Sequence, residues 1–272
     1  MSLKSHIFLC FSILFCTNCS TEPKNSFSDS FDDTDHPKLS EKNRANRYAA
    51  PNWWLNSGGY LYQTKNGAST VQGKLSDNDR FRLLYAKSNP IDTDNGYRPQ
   101  NLLRLVTAAE FKNFTQQVYF NIKQINQSDS PNRNQSNGVL LFHRYLDGDN
   151  LYYVGIRVDG YAVVKKKLHG KYYTLKSTSV YSGNYNRDTL PNLLPINQRI
   201  GIKTAISTNA KGIVDITMYL NDRQLGLGWT QILQVEDTGA DAGLILKKGY
   251  AGIRSDFMDV VFDNYQASES QN

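Results

Sequence analysis

Apolar positions from Trp53 onward occur in short runs that alternate with polar positions, and Gly, Asn, Asp and Pro separate the runs. A period of two is typical of β-strands that bury one face, and no segment keeps a long helical period. The pattern predicts about thirteen strands, near 59–64, 80–86, 102–107, 111–125, 138–146, 150–158, 161–167, 171–178, 198–207, 212–220, 228–235, 249–254 and 257–267. No repeat of fixed length is present, which favours one antiparallel two-sheet sandwich over a propeller or solenoid.

Two polar stretches interrupt this series of strands. Residues 126–137 are rich in Asn, Ser and Asp, and residues 181–197 contain Gly183, Pro191 and Pro195. Long irregular connections are where proteins commonly place binding residues on a rigid scaffold. We therefore expect both loops to border a binding face.

The segment 138–159 predicts a β-hairpin, because Asp147-Gly148-Asp149 is a turn signal between two strand-like runs. Symmetric pairing about this turn places His143 opposite Tyr153, Tyr145 opposite Leu151, and Val139 opposite Arg157. The next two strands would add Lys166 and Tyr173. The predicted ligand-binding face is therefore His143, Tyr145, Tyr153, Arg157, Lys166 and Tyr173. A slip of one residue would exchange the faces of one strand, so this prediction depends on the register.

The N-terminus predicts export. Lys4 precedes an apolar run over residues 7–15 that is too short to span a bilayer comfortably, and the only cysteines, Cys10, Cys16 and Cys19, follow or interrupt it. Residues 1–19 resemble a bacterial lipoprotein signal, which implies lipidation at Cys19 and a membrane-anchored location in the cell envelope. Asn18 stands where such signals usually have a small residue, so plain secretion is the alternative.

Residues 20–50 are polar and lack periodicity, which predicts a flexible linker before a β-sandwich domain over 51–272. The first fifty residues hold equal numbers of acidic and basic side chains, so the formal net charge of +6 belongs to the predicted domain. This charge is compatible with an acidic polysaccharide, an acidic membrane surface or nucleic acid. We expect no nucleic acid, because Lys165–Lys167 is only a short basic run and export removes the target.

Three segments carry a resemblance to a known family: Asn-Leu-Tyr-Tyr-Val-Gly-Ile-Arg-Val-Asp-Gly at 150–160, the Lys- and Tyr-rich hairpin at 165–175, and the Gly-Tyr-Ala-Gly to Phe-Asp-Asn-Tyr segment at 249–265. The chain resembles the concanavalin A-like lectin and glucanase superfamily, including laminin-G-like domains. This resemblance implies an all-β jelly-roll sandwich of two curved antiparallel sheets. It also implies that a glycan would bind on the concave sheet.

The distribution of acids separates the possible functions. Glucanases of this fold carry closely spaced carboxylates, but Glu110, Glu236 and Glu269 are the only glutamates after residue 50 and none has a partner acid two residues away. A non-catalytic, lectin-like domain that binds an acidic or neutral polysaccharide is therefore the leading hypothesis. A polysaccharide lyase acting by β-elimination is the first alternative, with His143, Tyr145, Tyr153 and Arg157 as candidate catalytic residues. A structural envelope or adhesion protein is the second.

Metal ligands are sparse. Asp147, Asp149 and Asp263 lie in segments rich in hard oxygen donors, so a structural calcium ion is the one cofactor that the sequence suggests. Zinc has no usable ligand set, because the predicted domain has no cysteine and only two histidines, His143 and His169.

Overall fold

The structure is a computed structural model that describes residues 25–226 and 228–270. These residues form sixteen strands, one α-helix and three short 3₁₀ helices. The strands are β1 (Ser26–Asp29), β2 (Lys38–Ser40), β3 (Trp53–Ser57), β4 (Tyr60–Thr64), β5 (Gly67–Thr70), β6 (Leu102–Phe111), β7 (Phe114–Ile125), β8 (Gly138–Asp147), β9 (Asn150–Arg157), β10 (Tyr161–Leu168), β11 (Lys171–Ser179), β12 (Arg199–Thr208), β13 (Val214–Asn221), β14 (Thr230–Asp237), β15 (Gly249–Asp256) and β16 (Met258–Glu269). The α-helix is α1 (Arg80–Ser88), and the 3₁₀ helices are Arg44–Ala49, Pro99–Asn101 and Arg223–Leu225.

The strands form two antiparallel sheets, which confirms the predicted jelly-roll sandwich. One sheet has the order β14-β13-β12-β7-β16-β5-β4-β2, with β1 paired to β16. The other has the order β11-β10-β9-β8-β15-β6-β3. We call them the nine-stranded and the seven-stranded sheet.

The core lies between the two sheets. Leu141, Val154 and Val164 of the seven-stranded sheet are fully buried, as are Phe120 and Ile202 of the nine-stranded sheet. Their alternation along each strand explains the period of two in the sequence. Burial of these side chains is the main stabilising contribution to the fold, at about 25 cal/mol per Å² of apolar surface removed from water.

One predicted strand is wrong. Residues 80–86 lie in the helix α1, which Asp79 caps: its carboxylate accepts hydrogen bonds from the amides of Phe81, at 2.8 Å, and Arg82, at 3.4 Å. Phe81 and Tyr85, four residues apart, are the buried side chains of the helix. A capping Asp followed by an i, i+4 aromatic pair is a helix signal.

Residues 25–50, expected to be linker, pack on the sandwich instead. Strand β1 pairs with β16 and strand β2 with β4. Phe31 is fully buried and stacks on Trp53 at 5.5 Å, while the indole Nε1 of Trp53 donates to Asp29 at 2.6 Å. Phe27 and Phe31, two aromatic side chains in a polar stretch, therefore pack against Trp53 and help to hold this segment on the sandwich.

The predicted signal at 1–19, including the lipidation site Cys19, lies outside the described residues. Among the residues that are described, no helix is both long and apolar enough to cross a membrane.

Candidate functional site

The 138–159 hairpin forms, but its register differs from the prediction. Asp147 pairs with Asn150 at the turn, and an irregularity follows in which Arg144 adopts a φ of 48°. Beyond it, His143 pairs with Tyr152 and Phe142 with Tyr153. The predicted pairing of His143 with Tyr153 is therefore wrong, and residues 138–143 of β8 present the opposite set of side chains to each face, whereas Tyr145, beyond the irregularity, keeps its predicted side.

His143 faces the core as a result. It is fully buried, its Nε2 shares a hydrogen bond with Thr204 Oγ1 of the nine-stranded sheet at 2.6 Å, and its ring lies 4.7 Å from that of Phe114. Burial, with a smaller contribution from the adjacent Arg144, lowers the pKa of His143 to about 3. A neutral imidazole between two sheets cannot contact a ligand on the outer surface.

Lys166 and Tyr173 also lie on the inner side. The Lys166 ammonium is fully buried and pairs with both carboxylate oxygens of Asp237, at 2.8 and 3.0 Å, while it donates to the carbonyl of Gly243 at 2.7 Å. The ring of Tyr173 lies 5.8 Å from this ammonium and packs against the main core. The prediction that Lys166 and Tyr173 join the outer polar face is wrong, because even-numbered residues of β10 and odd-numbered residues of β11 face inward.

Tyr145 and Tyr153 face outward, where they belong to an aromatic cluster on the outer face of the seven-stranded sheet. The ring of Phe142 lies 5.2 Å from Tyr145 in a stacked arrangement and 5.5 Å from Tyr153 edge to face. Tyr153 in turn stacks on Tyr172 at 6.1 Å. Burial raises the pKa of Tyr153 to about 12. Tyr172 is 53% exposed, so its ring is open to a ligand.

A cleft of about 590 Å³ lies over this outer face. Its floor contains Leu140, Tyr153 and Val163, and Tyr172 forms one wall. The remaining lining residues come from α1 and its following turn, from the 126–137 loop and from strands β3, β6, β10 and β15: Ser57, Tyr85, Asn89, Asp92, Leu102, Arg104, Asn132, Asn134, Ser136, Asn137, Lys165, Arg254, Asp256 and Phe257.

The most basic residues of the cleft were not predicted. Arg104 on β6 pairs directly with Arg254 on β15, which places two guanidinium groups side by side on the outer face. Arg254 Nε donates to both carboxylate oxygens of Asp256, at 2.8 and 3.0 Å. Although burial works against its charge, Asp256 raises the pKa of Arg254 above its ordinary value. No local pattern marks them, because β6 also carries Glu110 and β15 also carries Asp256, and only the pairing of the two strands brings the arginines together.

The 126–137 loop forms the polar rim of the cleft, as expected for a loop at a binding face. Asn132, Asn134 and Ser136 line the opening. Arg187, in the 181–197 loop, stabilises this rim. Its guanidinium donates hydrogen bonds to the carbonyls of Asp129 and Ser130 at 3.0 and 2.9 Å. The 181–197 loop therefore supports the rim but does not line the cleft.

Arg157 faces outward beside the rim, but its charge is already paired. Its guanidinium binds the carboxylate of Asp159 through two nitrogens and donates to the carbonyl of Gln135 at 3.1 Å. Arg157 does not line the cleft. The structure thus brings Tyr153 to the cleft, places Tyr145 and Arg157 on the same face outside it, and separates all three from His143.

The predicted calcium ligands are dispersed. The Asp147 carboxylate accepts from the backbone of Asp149 at 2.8 Å, Asp149 pairs with Lys167 at 2.9 Å, and Asp263 pairs with Arg199 on the other sheet at 3.1 Å. Over residues 25–226 and 228–270, no three His, Cys, Asp or Glu side chains are grouped as a metal site would require. The three aspartates therefore serve a turn and two surface ion pairs.

Comparisons with known proteins give the fold alone. No protein-family model and no curated protein sequence matches the chain. Among solved structures, the chain is similar to the carbohydrate-binding module CBM66 from Bacillus subtilis, with a TM-score of 0.50 and 13% identity over 80% of this chain and 95% of the module. It also matches the exoplasmic/lumenal domain of VIP36, with a TM-score of 0.46 and 8% identity over 88% of this chain and 92% of that domain. A Bacillus subtilis protein of unknown function with a galectin-like fold matches with a TM-score of 0.43 and 12% identity over 85% and 94% of the two chains.

Proposed function

We propose that the protein is a non-catalytic, lectin-like domain that binds a glycan in the cleft on the outer face of the seven-stranded sheet. The observation that carries this proposal is the exposed ring of Tyr172, stacked on Tyr153 and facing a rim of amide and hydroxyl groups. Aromatic faces bind the apolar faces of sugar rings, and amides bind their hydroxyls. The net charge of +6 favours an acidic glycan among the candidates.

The fold supports this proposal by analogy. The similar module from Bacillus subtilis is, by its name, a carbohydrate-binding module. Fold likeness does not establish function, so the argument depends on the residues of the cleft.

The chemistry of the cleft favours binding over catalysis. Its two carboxylates are both engaged, Asp256 by Arg254 and Asp92 by Ser130 and Asn132. The lyase hypothesis relied on His143 as the proton-transferring residue, and burial between the sheets removes His143 from the cleft. Nothing in the described cleft replaces it with another histidine.

A glycan array probed with the purified full-length protein tests the proposal. Tyr172→Ala removes the exposed stacking face and should weaken binding about five- to tenfold, since one aromatic contact contributes about 1 kcal/mol. Tyr161→Ala is the matched control, because Tyr161 is 41% exposed on the same sheet but does not line the cleft. Equal affinities for the two variants, or binding to no glycan, would contradict the proposal. Recovery of a protein partner alone would favour the adhesion alternative.

We also propose that the protein is exported and anchored to a membrane through Cys19. The short apolar run followed by Cys19 supports this proposal. Radiolabelled palmitate should be incorporated by the expressed protein and by Cys16→Ser, and lost in Cys19→Ser. Release of unlabelled protein into the medium would instead support plain secretion.

A further inference from the structure

The charges of the cleft do not balance. Three cationic side chains line it, Arg104, Arg254 and Lys165, against the carboxylates of Asp92 and Asp256. Asp256 lies 2.8 Å from Arg254, and Asp92 accepts hydrogen bonds from Ser130 and Asn132. Both acids of the cleft are therefore used within the protein.

Arg104 and Lys165 have no acidic partner. Throughout residues 25–226 and 228–270, no carboxylate lies within 4.0 Å of either cationic group. Within the described part of the chain, the Lys165 ammonium makes one hydrogen-bond contact, to Ser136 Oγ at 3.4 Å. Burial, and after it the charge of Arg157, lower the pKa of Lys165. Partly buried cations are normally paired with an acidic group, so the surroundings of these two cations lack a compensating negative charge.

The positions of the two cations define the length of the site. Arg104 lies on β6 and Lys165 on β10, and the strand order between them is β6-β15-β8-β9-β10. Four steps of about 4.8 Å between neighbouring strands separate their backbones by roughly 19 Å. Arg254 lies beside Arg104 in this row, and beyond it the floor is low and apolar, because Leu140, Gly155 and Val163 are consecutive cross-strand neighbours. Such a site is longer than one sugar ring and runs across the strands.

We infer that the ligand is an anionic oligosaccharide that lies across the strands, with one carboxylate or sulfate group bound by Arg104 and another negative group near Lys165. This inference rests on the proposed glycan-binding function. The planar guanidinium of Arg104 can donate two parallel hydrogen bonds to either type of oxyanion, which a single ammonium cannot do. Tyr153, on β9 between the two charged positions, and the ring of Tyr172 that stacks on it then contact the sugar ring.

The test uses matched glycans on the same array: tetragalacturonate, its methyl ester, maltotetraose and sulfated maltotetraose, beside a broad set of acidic and neutral glycans. Binding restricted to anionic members is expected, and it should weaken as the salt concentration rises. The esterified and sulfated probes distinguish carboxylate from sulfate recognition. Binding to neutral glycans only would overturn the inference and leave the proposed function intact. Binding to no glycan would overturn both.

Variants assign the effect to the two cations. Arg104→Gln and Lys165→Gln should each weaken binding of the best acidic ligand, Arg104→Gln by about 10- to 100-fold, because a charge-assisted hydrogen bond is lost. Lys211→Gln, in an exposed turn far along the chain from the cleft residues, is the control and should leave the affinity unchanged. The unfolding midpoint of Arg104→Gln should stay the same or rise, since the variant relieves repulsion with Arg254. A lower midpoint with unchanged affinity would make Arg104 a structural residue and refute the inference.

Discussion

In the seven-stranded sheet, consecutive residues of the same type point to opposite faces and have different surroundings. Lys165 faces the cleft with no acidic partner in the described chain, whereas Lys166 is enclosed in the core and bound to Asp237. Tyr153 lines the cleft, whereas the hydroxyl of Tyr152 donates to Asp237 at 2.8 Å. Lys166, Tyr152 and Asp237 satisfy one another, while the ammonium of Lys165 and the ring of Tyr172 remain available to a ligand.

This difference shows what distinguishes a structural polar group from a binding group. A buried charge is stable only when its partners lie within the protein. A charge at a cleft can instead be paired by a ligand, and it then lacks a counter-charge in the free protein. The comparison makes predictions for both faces.

The largest expected effect is on the inner face. Asp237→Ala leaves the buried ammonium of Lys166 without its counter-charge and removes the acceptor of Tyr152. We expect the free energy of unfolding to fall by about 3–5 kcal/mol. Urea denaturation followed by circular dichroism measures it.

The double variant Lys166→Met with Asp237→Leu is the control for that effect. Replacing both members of a buried ion pair with apolar residues of similar size is often neutral. The double variant should therefore be much more stable than Asp237→Ala. If Asp237→Ala lost less than about 1 kcal/mol, the inner pair would not differ from an exposed one.

His143 provides the second test of the inner face. The folded protein holds the imidazole neutral with a pKa of about 3, whereas the unfolded chain protonates it near 6.5. Between these values the unfolded state binds more protons, so stability falls as the pH falls below 6.5. The loss from this residue should reach roughly 3 kcal/mol by pH 4.

Denaturation of the wild-type protein and of His143→Gln at pH 7 and pH 4 measures that loss, and the variant should show the weaker pH dependence. His169→Gln, in an exposed turn, is the matched control. If His143→Gln does not fold, NMR of the wild-type protein gives the same information. The chemical shifts of the His143 ring should remain those of a neutral imidazole down to pH 4. Titration near pH 6.5 would place this residue on the solvent-exposed side.

Much of the fold could be predicted from the sequence, because strand burial imposes a period of two that is visible in the residues. The pattern located most of the strands from β6 to β16 and the turn at Asp147-Gly148-Asp149. It missed the packing of residues 25–50, where a few scattered apolar side chains such as Phe27, Phe31 and Leu39 make the contacts. The partner of the two phenylalanines, Trp53, lies on a strand that the pattern did not mark.

The site could be predicted only in part, because the register of one hairpin decides it. Arg144 has a positive φ and a buried guanidinium that donates to the carbonyls of Lys112, at 3.0 Å, and Ile245, at 2.7 Å. These contacts come from distant parts of the chain, so no local pattern announces the irregularity. The shift moved His143 inward, and the arginine that faces the cleft from β6, Arg104, emerged only from the three-dimensional pairing with β15.

A smaller effect should separate the adjacent tyrosines of β9. Tyr152→Phe removes a buried hydroxyl that donates to Asp237 and accepts from the amide of Ile245, so we expect a loss of about 1–2 kcal/mol in the free energy of unfolding. Tyr153→Phe keeps the stacking ring over the cleft and removes a hydroxyl whose partner is the half-exposed Tyr172 and not a buried carboxylate, so it should cost less stability than Tyr152→Phe. Thermal or urea unfolding of both variants measures the two losses. Equal losses would mean that the two hydroxyls contribute equally to stability, which would contradict the prediction.

The smallest effect on stability is expected at Lys165. Lys165→Met removes a partly buried cation that has no acidic partner, so the free energy of unfolding should stay within about 0.5 kcal/mol of wild type, whereas Lys166→Met leaves Asp237 buried and uncompensated. The lowered pKa of Lys165 adds a pH signature to wild-type binding. The amine is cationic below its pKa, so affinity for an acidic glycan should fall as the pH rises through a value below the ordinary one for lysine. In Lys165→Met this dependence should weaken, and calorimetric titration of both proteins against the best acidic ligand measures it. An unchanged dependence would assign the effect to another group of the cleft.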